Sequence, residues 1–178
     1  MTPGPFSPLV CAALLTLMSA CSSSDDTVDG ATSADCNQLE NRAPRIREEV
    51  FPDMGAVPTA NGGEIQSGTY HLVKASFFGA SPTCAPQFRK LTLKVEAQSN
   101  RAGRMEYSLG EAPNDTAPIR DEHVSSTYET TGTSIAERAT CPLVGDAPLY
   151  SYTASPTSLT FIVPRGSCGT YVVQLDQV

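Results

Sequence analysis

The chain contains no tryptophan and only two histidines, His71 and His123, and its first twenty-one residues carry no Asp, Glu, Lys or Arg. Each shortage excludes something. No Cys-x-x-Cys pair occurs, and neither histidine has ligand-like spacing to a cysteine, so no metal centre is expected. A Gly-x-Ser-x-Gly elbow, a His-Glu-x-x-His helix, a phosphate-binding glycine loop and a dinucleotide fingerprint are all missing. We therefore assign no catalytic residues and no cofactor, and read the protein as non-enzymatic, with a hydrolase as the remaining catalytic alternative. Cations are also scarce: twelve Lys and Arg against nineteen Asp and Glu give a formal net charge of −7. Nucleic acid needs clustered cations and is not an expected partner, and the same balance disfavours anionic headgroups held by charge alone. The adjacent carboxylates Glu48-Glu49 and Asp121-Glu122 read as solvated surface, because neighbouring strand residues face opposite ways.

What is present begins with an address. Phe6 to Ala20 is mostly apolar and ends in small residues before Cys21. It is short for a transmembrane helix but suits the apolar core of a signal peptide. Leu17-Met18-Ser19-Ala20-Cys21 resembles the lipobox of bacterial lipoproteins. That resemblance implies cleavage after Ala20, diacylation of the Cys21 thiol and acylation of the new amine. Ser22 stands where Asp would signal inner-membrane retention in many Gram-negative bacteria, so the implied location is the cell envelope, lipid-anchored, at the outer membrane. The tract that follows, Ser22-Ser23-Ser24-Asp25-Asp26-Thr27-Val28-Asp29-Gly30, is polar, acidic and without pattern, as a tether should be. About fourteen such residues span roughly 20 Å as a coil. The segmentation is a signal peptide over residues 1–20, a lipidated tether over 21–35, an arm over 36–67 and a β domain over 68–178.

With Cys11 in the signal and Cys21 acylated, Cys36, Cys84, Cys141 and Cys168 remain, and in an exported domain they read as two disulfides with three possible connectivities. In the arm, Asn41 to Phe51 is compatible with one short helix, with Pro44 near its start, Pro52 at its end, and Ile46 and Val50 on one face. Its three arginines read as a solvated face.

From Gly68 the hydrophobic period changes to two, and turn signals recur at strand-like spacing. Eight strands are predicted: Gly68–Phe78, Gln87–Ala97, Arg104–Leu109, His123–Thr130, Ser134–Cys141, Leu149–Ala154, Ser158–Val163 and Thr170–Asp176. In the second, Leu91, Leu93 and Val95 alternate with Thr92, Lys94 and Glu96; Phe88 is out of phase, which suggests a bulge or a late start. No strand has the continuous apolar run of a parallel sheet, so the expected fold is all-β: an eight-stranded antiparallel up-and-down barrel or barrel-like meander. Connectors after odd-numbered strands are long and those after even-numbered ones short. One end therefore carries the elaborate loops, and Cys84, Cys141 and Cys168 all fall there. A closed barrel brings Cys168 near Cys84. An open sheet favours Cys141 with Cys168 and Cys36 with Cys84, and this second pairing, which staples the arm to the domain, is the one we expect. Glu137 shares the strand face of Ile135 and Ala139; it is either a polar group inside a barrel or the mark of a register shift, and we expect the shift.

Gly68-Thr69-Tyr70-His71-Leu72 resembles the Gly-x-Trp opening of lipocalin-like barrels, with Tyr for Trp. The sequence is also similar to a family of uncharacterised bacterial lipoproteins through a Gly-Thr-Tyr strand, Tyr128-Glu129-Thr130-Thr131-Gly132-Thr133, Thr140-Cys141-Pro142 and Tyr152-Thr153-Ala154, in that order. The lipocalin likeness implies a barrel whose opening aromatic closes the floor. The leading functional expectation is a small apolar ligand at the barrel mouth, lined by Tyr70, Leu72, Leu93, Tyr107 and Phe161. The alternative is an envelope protein-interaction or inhibitor module that uses cysteine-braced loops. The membrane, through the lipid, is a partner in either case.

Overall fold

The computed structural model describes residues 32, 35–53, 57–79, 84, 86–146 and 149–178; Cys21, the signal segment and most of the tether lie outside them. The strands are β1 (Ile46–Arg47), β2 (Glu49–Phe51), β3 (Gly68–Phe78), β4 (Phe88–Ala97), β5 (Ala102–Ala112), β6 (Arg120–Thr131), β7 (Ser134–Cys141), β8 (Gly145–Asp146), β9 (Tyr150–Ala154), β10 (Ser158–Pro164) and β11 (Thr170–Gln177). Eight of them, β3 to β7 and β9 to β11, form a closed antiparallel barrel, because β11 pairs with β3 and β3 pairs in turn with β4.

The alternation seen in the sequence is the cause of closure. One face of each barrel strand is mainly apolar, and a sheet that curls on itself buries that face without leaving an edge. Tyr70, Leu72, Leu93, Val95, Met105, Tyr128, Ile135, Tyr152, Leu159, Tyr171 and Leu175 are all buried in one interior cluster. The two ends differ. Tight turns such as Gly132-Thr133 close one, and the long connectors gather at the other. The arm packs against the tight-turn end, where Ile65 is buried in the core and Gly62, at φ 65°, lies beside β9 in a parallel bridge to Thr153. A Cβ on Gly62 would stand 2.4 Å from the Gly132 carbonyl oxygen, so this position needs glycine.

The expected helix over Asn41–Phe51 is not formed. Those residues make β1, which pairs with β4 through Ile46↔Arg89 and Arg47↔Phe88, and β2, which runs parallel to β3 through Glu49↔Ser76 to Phe51↔Phe78. The reason is tertiary. β3 and β4 pair only from Gly68 to His71, so they part toward the loop end and leave two unpaired edges there. The arm satisfies both. Further back it lies across the outside of β4 to β6. The Asn37 side-chain amide donates to the carbonyls of Tyr107 and Val124, and the Asn41 amide donates to Asp121 at 2.7 Å. Thr92 accepts from the backbone N–H groups of Arg42 and Ala43. This cover buries Thr92 and Ser108, which face outward from the barrel. Beyond Phe51, which stacks on Phe78, Val57 and Ala60 cover Ile162 and Val172 in a second apolar cluster on the outer face.

The disulfides join Cys36 to Cys141 and Cys84 to Cys168. This corrects the expected pairing. Closure brings the β10–β11 loop beside the β3–β4 loop, so Cys168 meets Cys84, and Cys36 is left to staple the arm to the end of β7. The β4–β5 ladder runs from Phe88↔Ala112 to Ala97↔Gly103 without a bulge, so Phe88 simply begins its strand. The irregularities lie elsewhere, between Gln174 and Leu175 in the β11–β3 ladder and between Ser125 and Ser126 in the β6–β7 ladder.

Candidate binding cavity

The barrel is packed solid toward its tight turns and hollow toward its loops. Among the described residues it encloses a cavity of about 420 Å³, within the range of small-molecule sites. Each strand contributes its inward residues: Leu91 from β4, Tyr107 and Leu109 from β5, Val124 from β6, Ala139 from β7, Tyr150 from β9, Phe161 and Val163 from β10, and Tyr171 and Val173 from β11. Of the five residues expected at the mouth, Leu72, Tyr107 and Phe161 line this cavity. Tyr70 and Leu93 do not. Both are fully buried in the packed half, where the Tyr70 hydroxyl donates to the Gln66 carbonyl at 2.9 Å.

Two polar features break the apolar wall. The first is Glu137, which is 4% exposed and points inward. The expectation of a register shift at this residue is therefore corrected: the shift falls beyond it, opposite Ser125 and Ser126, and the carboxyl stays inside. Its oxygens accept hydrogen bonds from Ser126 Oγ at 2.5 Å and Tyr150 Oη at 2.6 Å. Burial raises its pKa above the ordinary carboxylate value, although the hydroxyls of Ser126, Tyr150 and Tyr107 pull the other way. Tyr107 and Tyr150 are pushed well above the usual phenol range by desolvation and by the nearby carboxyl. Tyr150 is steadied by an edge-on contact with Phe161, centroids 5.5 Å apart.

The second is a charged cluster where the arm meets the barrel. Arg89, opposite Ile46, pairs with Glu48 and Glu111, and its guanidinium stands 5.2 Å from the centroid of the Tyr171 ring. Arg165 approaches the same ring at 5.6 Å. Glu48, expected at the surface, is buried instead, and the Gln87 N–H adds a hydrogen bond to it at 2.9 Å. Arg45, one of three arginines expected to be solvated, donates to the carbonyls of Asp115 and Ala117 and so holds the β5–β6 connector.

The wall is weakest between β7 and β9. These strands pair only through Ser134↔Ser151 and Ile135↔Tyr150. Nearer the loops β7 turns to β8 instead, through Arg138↔Asp146 and Ala139↔Gly145. The connector beyond Cys141 closes this gap. Its Leu143 and Val144 line the cavity while remaining 61% and 70% exposed, and Leu149 is 64% exposed.

Neither histidine lines the cavity, and no group of side chains among the described residues is arranged to hold a metal ion. The cavity can thus enclose an apolar body and offer one buried carboxyl to it. Sequence reasoning singled out Glu137 but preferred a register shift to an interior carboxyl, and it missed Arg89, Ala139 and the Leu143-Val144 pair. The in-phase position of Glu137 between Ile135 and Ala139 was the signal for the first. The others depend on where strands part, which alternation does not encode. No protein-family model, curated protein or solved structure matches the chain.

Proposed function

We propose that this protein is a lipid-anchored envelope protein, held at the outer membrane by acylated Cys21, whose barrel binds a small and mainly apolar ligand. The cavity carries this reading. An eight-stranded barrel has an interior just wide enough to be filled by its own side chains or to hold one small molecule, and here about 420 Å³ is left unfilled. Apolar walls attract the body of the ligand by the area they remove from water. The Glu137 carboxyl and its hydroxyl neighbours orient one hydrogen-bonding group. The alternative, a protein-interaction module, draws on the exposed Leu143, Val144 and Leu149 of a disulfide-braced loop.

Two measurements test the proposal. Metabolic labelling with a fatty acid should mark the protein and should fail for Cys21→Ser; undiminished labelling of that variant removes the anchor. Native mass spectrometry of the chain truncated before Ser22, which keeps every described residue, should show a bound organic molecule that solvent extraction strips. A chain that is apo as isolated and takes up no added medium-chain alcohol would refute the ligand.

A further inference from the structure

We infer that the loop end of the barrel faces the bilayer, with Leu143, Val144 and Leu149 seated in its surface, so that the cavity exchanges its ligand with the membrane rather than with water. The inference rests on the anchor and cavity readings above and adds an orientation and a docking surface to them.

Two observations carry it. The chain that leads back to Cys21 leaves the domain at Cys36, and Cys36 is cross-linked to Cys141, two residues before Leu143. The rim that bears the exposed apolar side chains is therefore the rim to which the anchor is fixed. Fourteen residues, Ser22 to Asp35, separate the two cysteines. Their composition sets an expected span of roughly 20 Å. The longer strands, β3 to β6, have ten to twelve residues and, tilted as barrels require, make that side of the barrel about 25 Å tall. A tether of that length fixed at one pole favours holding that pole toward the membrane.

The second observation is continuity. Leu143 and Val144 belong to the cavity lining and to the outer surface at once, and they cover the place where β7 and β9 stop pairing. An apolar path thus runs from the exterior to the cavity through a loop rather than through a hydrogen-bonded wall. Exposed apolar side chains beside such a path are costly in water and are relieved by the interfacial region of a bilayer. Arg138 and Asp146, flanking this loop, answer one another at 3.7 Å, so the patch brings no excess of cations to anionic headgroups. A zwitterionic surface suffices.

The absence of tryptophan gives a clean probe. Leu143→Trp, and separately Val144→Trp, place a single indole in the lip; Thr157→Trp places one at the tight-turn end, also on an exposed residue. Each full-length lipidated chain is reconstituted in phosphatidylcholine vesicles containing chain-brominated phosphatidylcholine. We expect blue-shifted emission from both lip variants and several-fold stronger quenching than from Thr157→Trp. Equal quenching at the two poles, or lip indoles that are unquenched on chains that float with the vesicles, would overturn the orientation and leave the lip to a protein partner. Chains that fail to float at all would overturn the orientation and the anchor together. Adding Ala139→Phe, which takes up nearly half of the cavity, should leave lip quenching unchanged. Failure of the ligand reading is thereby told apart from failure of the docking reading.

Discussion

Replacing Ala139 by phenylalanine should shrink the cavity below the size of its ligand while leaving the barrel folded. Ala139 lies on the inward face of β7, two residues from Glu137, and borders the empty volume rather than packed side chains. At about 30 Å³ per small group, a cavity of about 420 Å³ holds roughly 14 non-hydrogen atoms. A probe such as 1-decanol, bound at about 0.5 kcal/mol per non-hydrogen atom, would gain about 5–6 kcal/mol, which is a Kd on the order of 0.1 mM. The phenylalanine ring adds about six carbon atoms to the wall and so displaces nearly half of that capacity. Room remains for about eight of decanol's eleven non-hydrogen atoms, so about three are expelled and the loss is about 1.5 kcal/mol, or roughly ten-fold in affinity. Because the ring enters empty space, overpacking strain is avoided, and thermal stability should hold or rise. Titration calorimetry of the chain truncated before Ser22 reads both quantities when paired with a melting curve. Decanol affinity for Ala139→Phe within about threefold of the parent, in a variant whose disulfides and circular dichroism are unchanged, would show that the ligand does not use this cavity.

Three further outcomes are expected. Burial raises the folded-state pKa of Glu137 above the ordinary 4.5, so the folded protein binds the extra proton between those two pH values. Its contribution is fully present below the ordinary pKa and is lost as pH rises through the folded one. Urea melts should show that loss in the parent and not in Glu137→Gln, and parallel pH profiles would sink the assignment. Removing Arg89 by substitution with Met leaves the buried Glu48 carboxylate without its cation, at a cost of about 3–5 kcal/mol. Adding Glu48→Gln should recover part of it in the same melts, and a double variant no better than the single one would contradict the pairing. Non-reducing peptide mapping should recover Cys36 with Cys141 and Cys84 with Cys168. The double variant Cys84→Ala, Cys168→Ala, which opens a loop of 84 residues, should lose about 4–5 kcal/mol in the chain-entropy account, whereas a loss near zero would show that this bridge does not restrain the unfolded chain.

The strand pattern was legible because a barrel imposes period two on every strand that lines it. Gly68–Phe78 and Ser134–Cys141 were predicted to the residue, and the other six lie within a few residues of their bounds. Most misplaced residues fall where a second layer or a parted seam intervenes. Thr92 and Ser108 sit on the outward face and should be solvated by alternation, yet the arm covers them. Glu48 was read with Glu49 as a solvated carboxylate pair, and its burial depends on the Arg89 guanidinium and the Gln87 N–H, which the β1–β4 pairing brings to it. Tyr70 and Leu93 share a face with Leu72 and Leu91, so periodicity places all four inside. It has no means of saying which half of the interior is packed.

Alternation and connector parity sufficed by themselves to determine an antiparallel up-and-down meander with one elaborate end, but not whether it closes. These are local properties, written in which residues stand two apart and how long the turns are. Closure alone decided the disulfide partners, since Cys168 reaches Cys84 only when the last strand pairs with the first. The conversion of the expected helix into β1 and β2 and the hollow above the packed floor likewise arise from strands that stop pairing before they end. Where two strands separate depends on the twist and curvature of the whole sheet, a sum over distant residues that no single segment contains.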